Sequence, residues 1–378
     1  MKNIKSYLII ICMLISSFLT VSAVGRQPDP VLADSLDIMI GQMIMVGFHG
    51  KTADADTALF NDIQKGYVGG VILYEKNISV SKPWIGLKNL TFTMQKAAVI
   101  PLWIAIDQEG GRVNRLKTKY GFPPSVTAEY LGNIDDLDST RYYADLTAAT
   151  LAGLGINVNF TPVADLASNA ENPIIAGKSR AYSADPAVVV RHAGVVVASH
   201  RNFKILTSLK HFPGHGSSTG DTHMGMADVT AVWSVDELLP YQLMIQAGKV
   251  DAIMTAHIIN GRLDSLELPA TLSHAVIQGL LRSELGYNGV VFSDDMHMRA
   301  ISDHFGLKTA IKLSINAGVD VLLFSNNLAP DDESGARNIH RIIRSLVNEG
   351  SVGEDRIKES YQRIVRLKKT YSLNFTLE

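Results

Sequence analysis

Short runs of apolar, mostly β-branched residues recur along the chain at 43–48, 70–74, 102–106, 156–160, 205–209, 252–255, 290–293 and 319–324. Longer stretches with helical spacing of apolar residues separate them, for example at 186–201, 236–248, 272–285 and 307–317. Two more helical stretches, near 336–348 and 354–370, close the chain. Continuous apolar runs of strand length are expected where helices cover both faces of a parallel sheet. Strand–helix alternation therefore predicts a parallel α/β fold. Eight repeats favour a sheet closed on itself, a single (β/α)8 TIM barrel, over an open doubly wound sheet. An open sheet of the dinucleotide-binding kind is expected to carry a glycine-rich turn after its first strand. Here the first strand runs into Gly47-Phe48-His49-Gly50 with no helix-opening G-x-G-x-x-G. No linker or low-complexity segment divides the chain.

The N-terminus stands apart from this pattern. Lys2 and Lys5 precede an apolar run from Tyr7 to about Thr20, and Val21-Ser22-Ala23 supplies small residues at a cleavage site. We read 1–23 as an export signal and 24–378 as the mature barrel domain, secreted or periplasmic. An uncleaved anchor is the competing reading, because the run approaches membrane-spanning length. No second stretch has that length and apolarity, so no membrane association is expected after cleavage. Cys12, the only cysteine, lies inside this segment, so a processed chain has no disulfide and no thiol chemistry. Lys and Arg number 35 against 37 Asp and Glu, a net charge of −2, which offers no basic field for nucleic acid. Hydrophobic residues, at 46%, suffice for one large core, and a monomer is expected.

A barrel places its chemistry at the C-terminal ends of the strands and in the loops that follow. The third strand runs into Asp107-Gln108-Glu109-Gly110-Gly111-Arg112, with Arg115 close behind. Carboxylates accept from sugar hydroxyls and arginines donate to them, so Asp107 and Arg115 are candidate binding residues, whereas Glu109 reads as structural. Arg180, taken alone, is a loop arginine. The fifth strand leads into Lys210-His211-Phe212-Pro213-Gly214-His215-Gly216, then Asp221-Thr222-His223, in a loop of about 20 residues before the next helix. A loop that long inside a compact domain is usually functional. Asp221, two residues from His223, is placed to orient an imidazole and stabilise its protonated form. The histidines also admit a zinc reading through His211, His215, His223, His257 and Asp294. Pro213 and Gly214 argue against the helix that a His-x3-His metal pair needs, and no H-E-x-x-H occurs. His257 ends the sixth strand and is either a site residue or a satisfied core histidine. The seventh strand ends in Ser293-Asp294-Asp295-Met296. A carboxylate there suits nucleophilic glycoside cleavage, and both acids are open on this evidence.

These segments together resemble glycoside hydrolase family 3 in its β-N-acetylglucosaminidase branch. The resemblance rests on Lys210 through Gly216 with Asp221-x-His223, on Asp107 through Val113, on Ser293 through Met296, and on Gly69 through Leu73 with Asn77. It runs over nearly the whole mature chain. It implies Asp294 as nucleophile, His223 as general acid/base with Asp221 as its partner, and Asp107, Arg115, Arg180, Lys210 and His211 as holders of a terminal N-acetylglucosamine. Ala181-Tyr182 follow Arg180 where the family pattern has Ser-Phe. No metal or other cofactor is implied, and the partner is a carbohydrate. The implied reaction is retaining exo-hydrolysis of peptidoglycan-derived or chitin-type oligosaccharides through a covalent glycosyl-enzyme. Phosphorolysis at the same site is the first alternative, because neutral imidazole does not repel an incoming anion; a metal-dependent barrel hydrolase is the second. Family members with broad β-glucosidase activity carry a second sandwich domain that supplies their acid/base. Here the chain ends after the barrel and the Asp-x-His pair is present, so that branch is not expected.

Overall fold

The computed structural model describes residues 35–222, 225–325 and 335–371. The export signal expected over 1–23, and Cys12 with it, lie outside the described residues. Among those described, no helix is long and apolar enough to cross a membrane.

Eight parallel strands close into a barrel. In chain order they are β1 (Ile44–Gly47), β2 (Gly70–Leu73), β3 (Trp103–Ile106), β4 (Val158–Asn159), β5 (Leu206–Phe212), β7 (Ala252–Thr255), β9 (Val290–Asp295) and β10 (Val321–Phe324). Each pairs with its neighbours in sequence, and β1 pairs with β10, Ile44 against Leu322 and Val46 against Phe324, to complete the ring. Two further two-residue strands, β6 (Ala227–Asp228) and β8 (Ile258–Ile259), form a parallel ribbon beside the barrel, β6 lying within the long loop after β5. All eight expected barrel strands are present and form the expected barrel.

The boundaries differ where polar residues take part in strands. β5 continues past the apolar run through Lys210 and His211 to Phe212, with a register shift against β7 between Leu209 and Phe212. β9 likewise carries Asp294 and Asp295 within the strand. These polar residues face the barrel mouth, so apolar continuity ends before the backbone pairing does. β4 is shorter than its apolar run because asparagine side chains replace part of the ladder. Asn157 Oδ1 accepts from Ile104 N at 2.7 Å, and Asn159 Oδ1 accepts from Gln108 N at 3.0 Å. Aromatic rings fill the barrel interior: Phe292 packs against Trp103 and Phe160 at centroid distances of 5.3 and 5.4 Å.

The last helix, Glu354–Thr370, seals the N-terminal end of the barrel. Its Lys368 is fully buried. The ammonium donates to Gln42 Oε1, Gly69 O and Pro101 O at 2.7–2.9 Å and stands over the Trp103 ring at 4.8 Å. Burial drives its pKa well below the ordinary lysine value. Earlier in the same helix, Arg356, Ser360 and Arg363 donate to buried Asp320, which also accepts from Arg282 and the Val291 N–H, tying β9 and β10 to the closing helix. Removing one member of a buried ionic network leaves the others uncompensated at a cost of ~3–5 kcal/mol. Asp320→Ala is therefore expected to lower the unfolding free energy by about that amount. Urea denaturation reads it, and an unchanged midpoint contradicts the role assigned to Asp320.

Candidate active site

The rim of the barrel at β3 and β5 is built on buried charge. Lys210, 2% exposed, projects from β5. Its ammonium bonds Asp107 Oδ1 at 2.9 Å and Glu109 Oε1 at 2.5 Å. Glu109 also receives both arms of Arg180, Nε at 2.8 Å and Nη2 at 2.7 Å. Arg115 stands over the Tyr74 ring with its guanidinium 3.6 Å from Asp107. Burial alone would raise the Glu109 pKa, but the charges of Arg180 and Lys210 hold it well below the usual carboxylate range. Burial alone would likewise lower Lys210, and Asp107 and Glu109 reverse this, so the ammonium stays charged. Glu109 is thus the anchor that fixes Arg180 and Lys210 in the site, in agreement with a structural role.

The loop carrying Asp107 is folded back by Gln108, whose Oε1 accepts from the N–H groups of Arg115 and Leu116 at 3.0 Å. Gly110 and Gly111, at φ 103° and 57°, make the turn that this requires. Asn77 joins neighbouring loops by donating to Phe48 O and Gly50 O and accepting from Tyr74 N. Tyr182, at the departure from the family pattern, stacks on His192 at 5.2 Å. Five binding residues expected from sequence, Asp107, Arg115, Arg180, Lys210 and His211, are therefore brought together.

His211 donates Nδ1–H to Asp165 Oδ2 at 2.6 Å, which turns its other ring nitrogen, Nε2, toward Arg180 Nη2 at 3.3 Å. Asp165 also accepts from the backbone N–H groups of His211 and His215. Burial would raise its pKa, but the adjacent His211 holds it low. A second buried acid, Glu237, accepts from Gly216 N at 2.8 Å and Ser217 N at 3.1 Å. Burial pushes it up to about 7. Asn172 donates to the carbonyls of His215 and Gly216 and accepts from Ile174 N and Ile175 N. Gly216 is needed here because a Cβ would sit 1.9 Å from Leu166 O. Asp165, Asn172 and Glu237 clamp the root of the loop that carries Asp221. None of the three was a sequence candidate. Their roles depend on distant backbone groups, and no local spacing signals them.

At β9 the two acids separate. Asp295 is committed to the protein: its carboxylate accepts from the backbone N–H groups of Ser325 and His297 and from the Ser325 hydroxyl. Asp294 stands half-buried at the mouth, with Oδ1 accepting from Asp295 N at 2.8 Å. His257 is a core residue, bonded to Thr271 through Nδ1 and to Asp295 O through Nε2. His211 Nε2 faces a guanidinium and both His257 nitrogens have protein partners, so these two histidines are poorly placed to donate to zinc. Asp221 lies half-buried in the loop after β5, and the next residue, Thr222, accepts through its carbonyl from Ala300 N, at the helix that follows Asp294. His223 lies outside the described residues.

A parallel barrel with buried acid–base pairs at its C-terminal rim is the frame of an enzyme site that binds a polar, hydroxyl-rich ligand. The chain matches the model of the Glycosyl hydrolase family 3 N terminal domain over residues 35–367 and belongs to that family. It is 32% identical over 366 residues to Beta-hexosaminidase A of Pseudoalteromonas piscicida, covering 87% of this chain and 60% of that one. It is 33% identical over 324 residues to Beta-hexosaminidase of Xylella fastidiosa (strain M23), covering 83% and 93%. Among solved structures, a glycoside hydrolase family 3 beta-N-acetylglucosaminidase from Paenibacillus sp. str. FPU-7 superposes with a TM-score of 0.81 at 33% identity, covering 91% of this chain and 65% of that chain. The chain thus spans under two thirds of the Pseudoalteromonas and Paenibacillus proteins and nearly all of the Xylella one.

Burial pushes the imidazole of His215 down to about 4. The unfolded chain takes up that proton near ~6.5. The stability it contributes is complete above that value and is lost as pH falls toward 4. His215→Gln is therefore expected to lose less stability than the parent between about pH 7 and pH 4, by ~1–3 kcal/mol. Urea midpoints across that range read the difference; parallel losses in the two chains contradict it.

Proposed function

We propose that this chain is a retaining exo-acting β-N-acetylglucosaminidase. The observation that carries the reading is the Asp107–Lys210–Glu109–Arg180 constellation on the same rim as Asp294. It presents fixed donors and acceptors to the hydroxyls and acetamido group of one terminal sugar, and Asp294, half-buried at the barrel mouth, is the acid assigned to the anomeric carbon. In this reading Asp294 attacks C1 while His223, protonated and oriented by Asp221, gives its proton to the leaving oxygen. The glycosidic C–O bond breaks and an ester between Asp294 and C1 forms. Neutral His223 then removes a proton from water, whose oxygen displaces the carboxylate and restores the β configuration. The N-terminal export signal suggests a place outside the cytoplasm, with peptidoglycan fragments or chitooligosaccharides as substrates. Neutral imidazole also admits phosphate as acceptor, giving a sugar 1-phosphate in place of free sugar.

Removal of a positioned general acid/base typically costs ~10²–10⁴-fold in rate. A nitrophenolate leaves without needing a proton, so His223→Gln is expected to be glycosylated by 4-nitrophenyl N-acetyl-β-glucosaminide and then to stall. Intact-mass measurement should show one added N-acetylglucosaminyl group, and peptide mapping should place it on Asp294. An adduct on Asp295, or product of inverted configuration from the parent enzyme, sinks the assignment. Product analysis in phosphate buffer separates the acceptors.

A further inference from the structure

Between Glu75 and Asp107 the chain carries four lysines, at 76, 82, 88 and 96, and no acidic residue. The helix Pro83–Ala97 occupies most of this segment on the outside of the barrel. It turns Leu87, Leu90, Thr91 and Met94 to the core. Ile85, Lys88, Asn89, Phe92 and Lys96, at helical spacings of three and four, form a single exposed stripe on the opposite side. Phe92 is 66% exposed and Ile85 58%, and Val80, just before the helix, is 78% exposed. Trp84, at the helix start, is held at its edge by a bond from Nε1 to Gly121 O and by packing on Phe122.

We propose that this helix face docks on an anionic lipid surface. Three large apolar side chains, Val80, Ile85 and Phe92, are exposed along this segment, with exposed Lys82, Lys88 and Lys96 interspersed among them. That is the pattern by which a helix lies in a membrane interface: apolar tips enter the headgroup boundary while lysine ammonium groups meet lipid phosphates. The chain as a whole is slightly acidic, so the positive charge is a local property of this face. A second copy of the chain is a poorer occupant, because two-fold pairing of this face opposes its own lysines. The inference stands apart from the proposed chemistry, since none of these residues belongs to the site.

The test uses the protein in the form its host processes, mixed with vesicles of phosphatidylglycerol and phosphatidylcholine or of phosphatidylcholine alone. Co-sedimentation is expected with the anionic vesicles, to weaken as salt rises, and to fall about 10-fold in either Ile85→Ser/Phe92→Ser or Lys88→Glu/Lys96→Glu. Hydrolysis of a soluble nitrophenyl substrate should be unchanged in both, which also shows that they are folded. The indole introduced by Phe92→Trp reads the face locally, even if an N-terminal segment is held in the bilayer. Its emission should shift to the blue and be quenched by brominated acyl chains. Equal association of parent and variants, unquenched emission, concentration-dependent dimerisation through this face, or binding to an acidic protein without lipid binding would each overturn the proposal.

Discussion

The site depends on keeping one lysine charged where water does not reach. Lys210 carries its ammonium into the barrel rim between Asp107 and Glu109. A buried cation of that kind is tolerable only with matched anions at hydrogen-bond distance. The network extends through Glu109 to Arg180 and from there to His211, so residues from the loops after β3 and β4 and from β5 share one electrostatic arrangement. Lys210 and Glu109 are each held charged by their partners despite burial. The side chains are fixed before a ligand arrives, which removes much of the ordering cost of binding.

A second arrangement of buried acids governs the loop after β5. Asp165 and Glu237 hold its first turn through backbone N–H groups, and Asn172 holds the carbonyls of the same turn. The root of the loop is therefore held by three buried side chains, and Thr222 further along accepts from Ala300 N.

Much of the fold was legible because parallel barrel strands are continuously apolar, and all eight barrel strands fell on such runs. The ends of β5 and β9 were not, because Lys210, His211, Asp294 and Asp295 break the apolar pattern while the backbone stays paired. The candidate binding residues were picked out by dense motifs at strand ends. Local sequence does not distinguish Asp294 from Asp295, since both acids occupy the same stretch; the contacts of Asp295 with Ser325 and His297 depend on the fold. Asp165, Asn172 and Glu237 escaped notice because their partners lie roughly 20 to 50 residues away. His257, ambiguous as a residue at a strand end, became a core histidine once Thr271 and the Asp295 carbonyl were placed around it.

Recognition of an N-acetylated sugar at this rim, with cleavage of its β-glycosidic bond by carboxylate and imidazole chemistry, is the proposal to be tested. The most direct measurement is nitrophenol release by the chelator-treated protein from 4-nitrophenyl N-acetyl-β-glucosaminide and from the matching β-glucoside. Rapid turnover of the N-acetylated substrate and little of the glucoside is expected, with no gain on adding zinc. Activity that returns only with zinc, or none on either sugar, would contradict it.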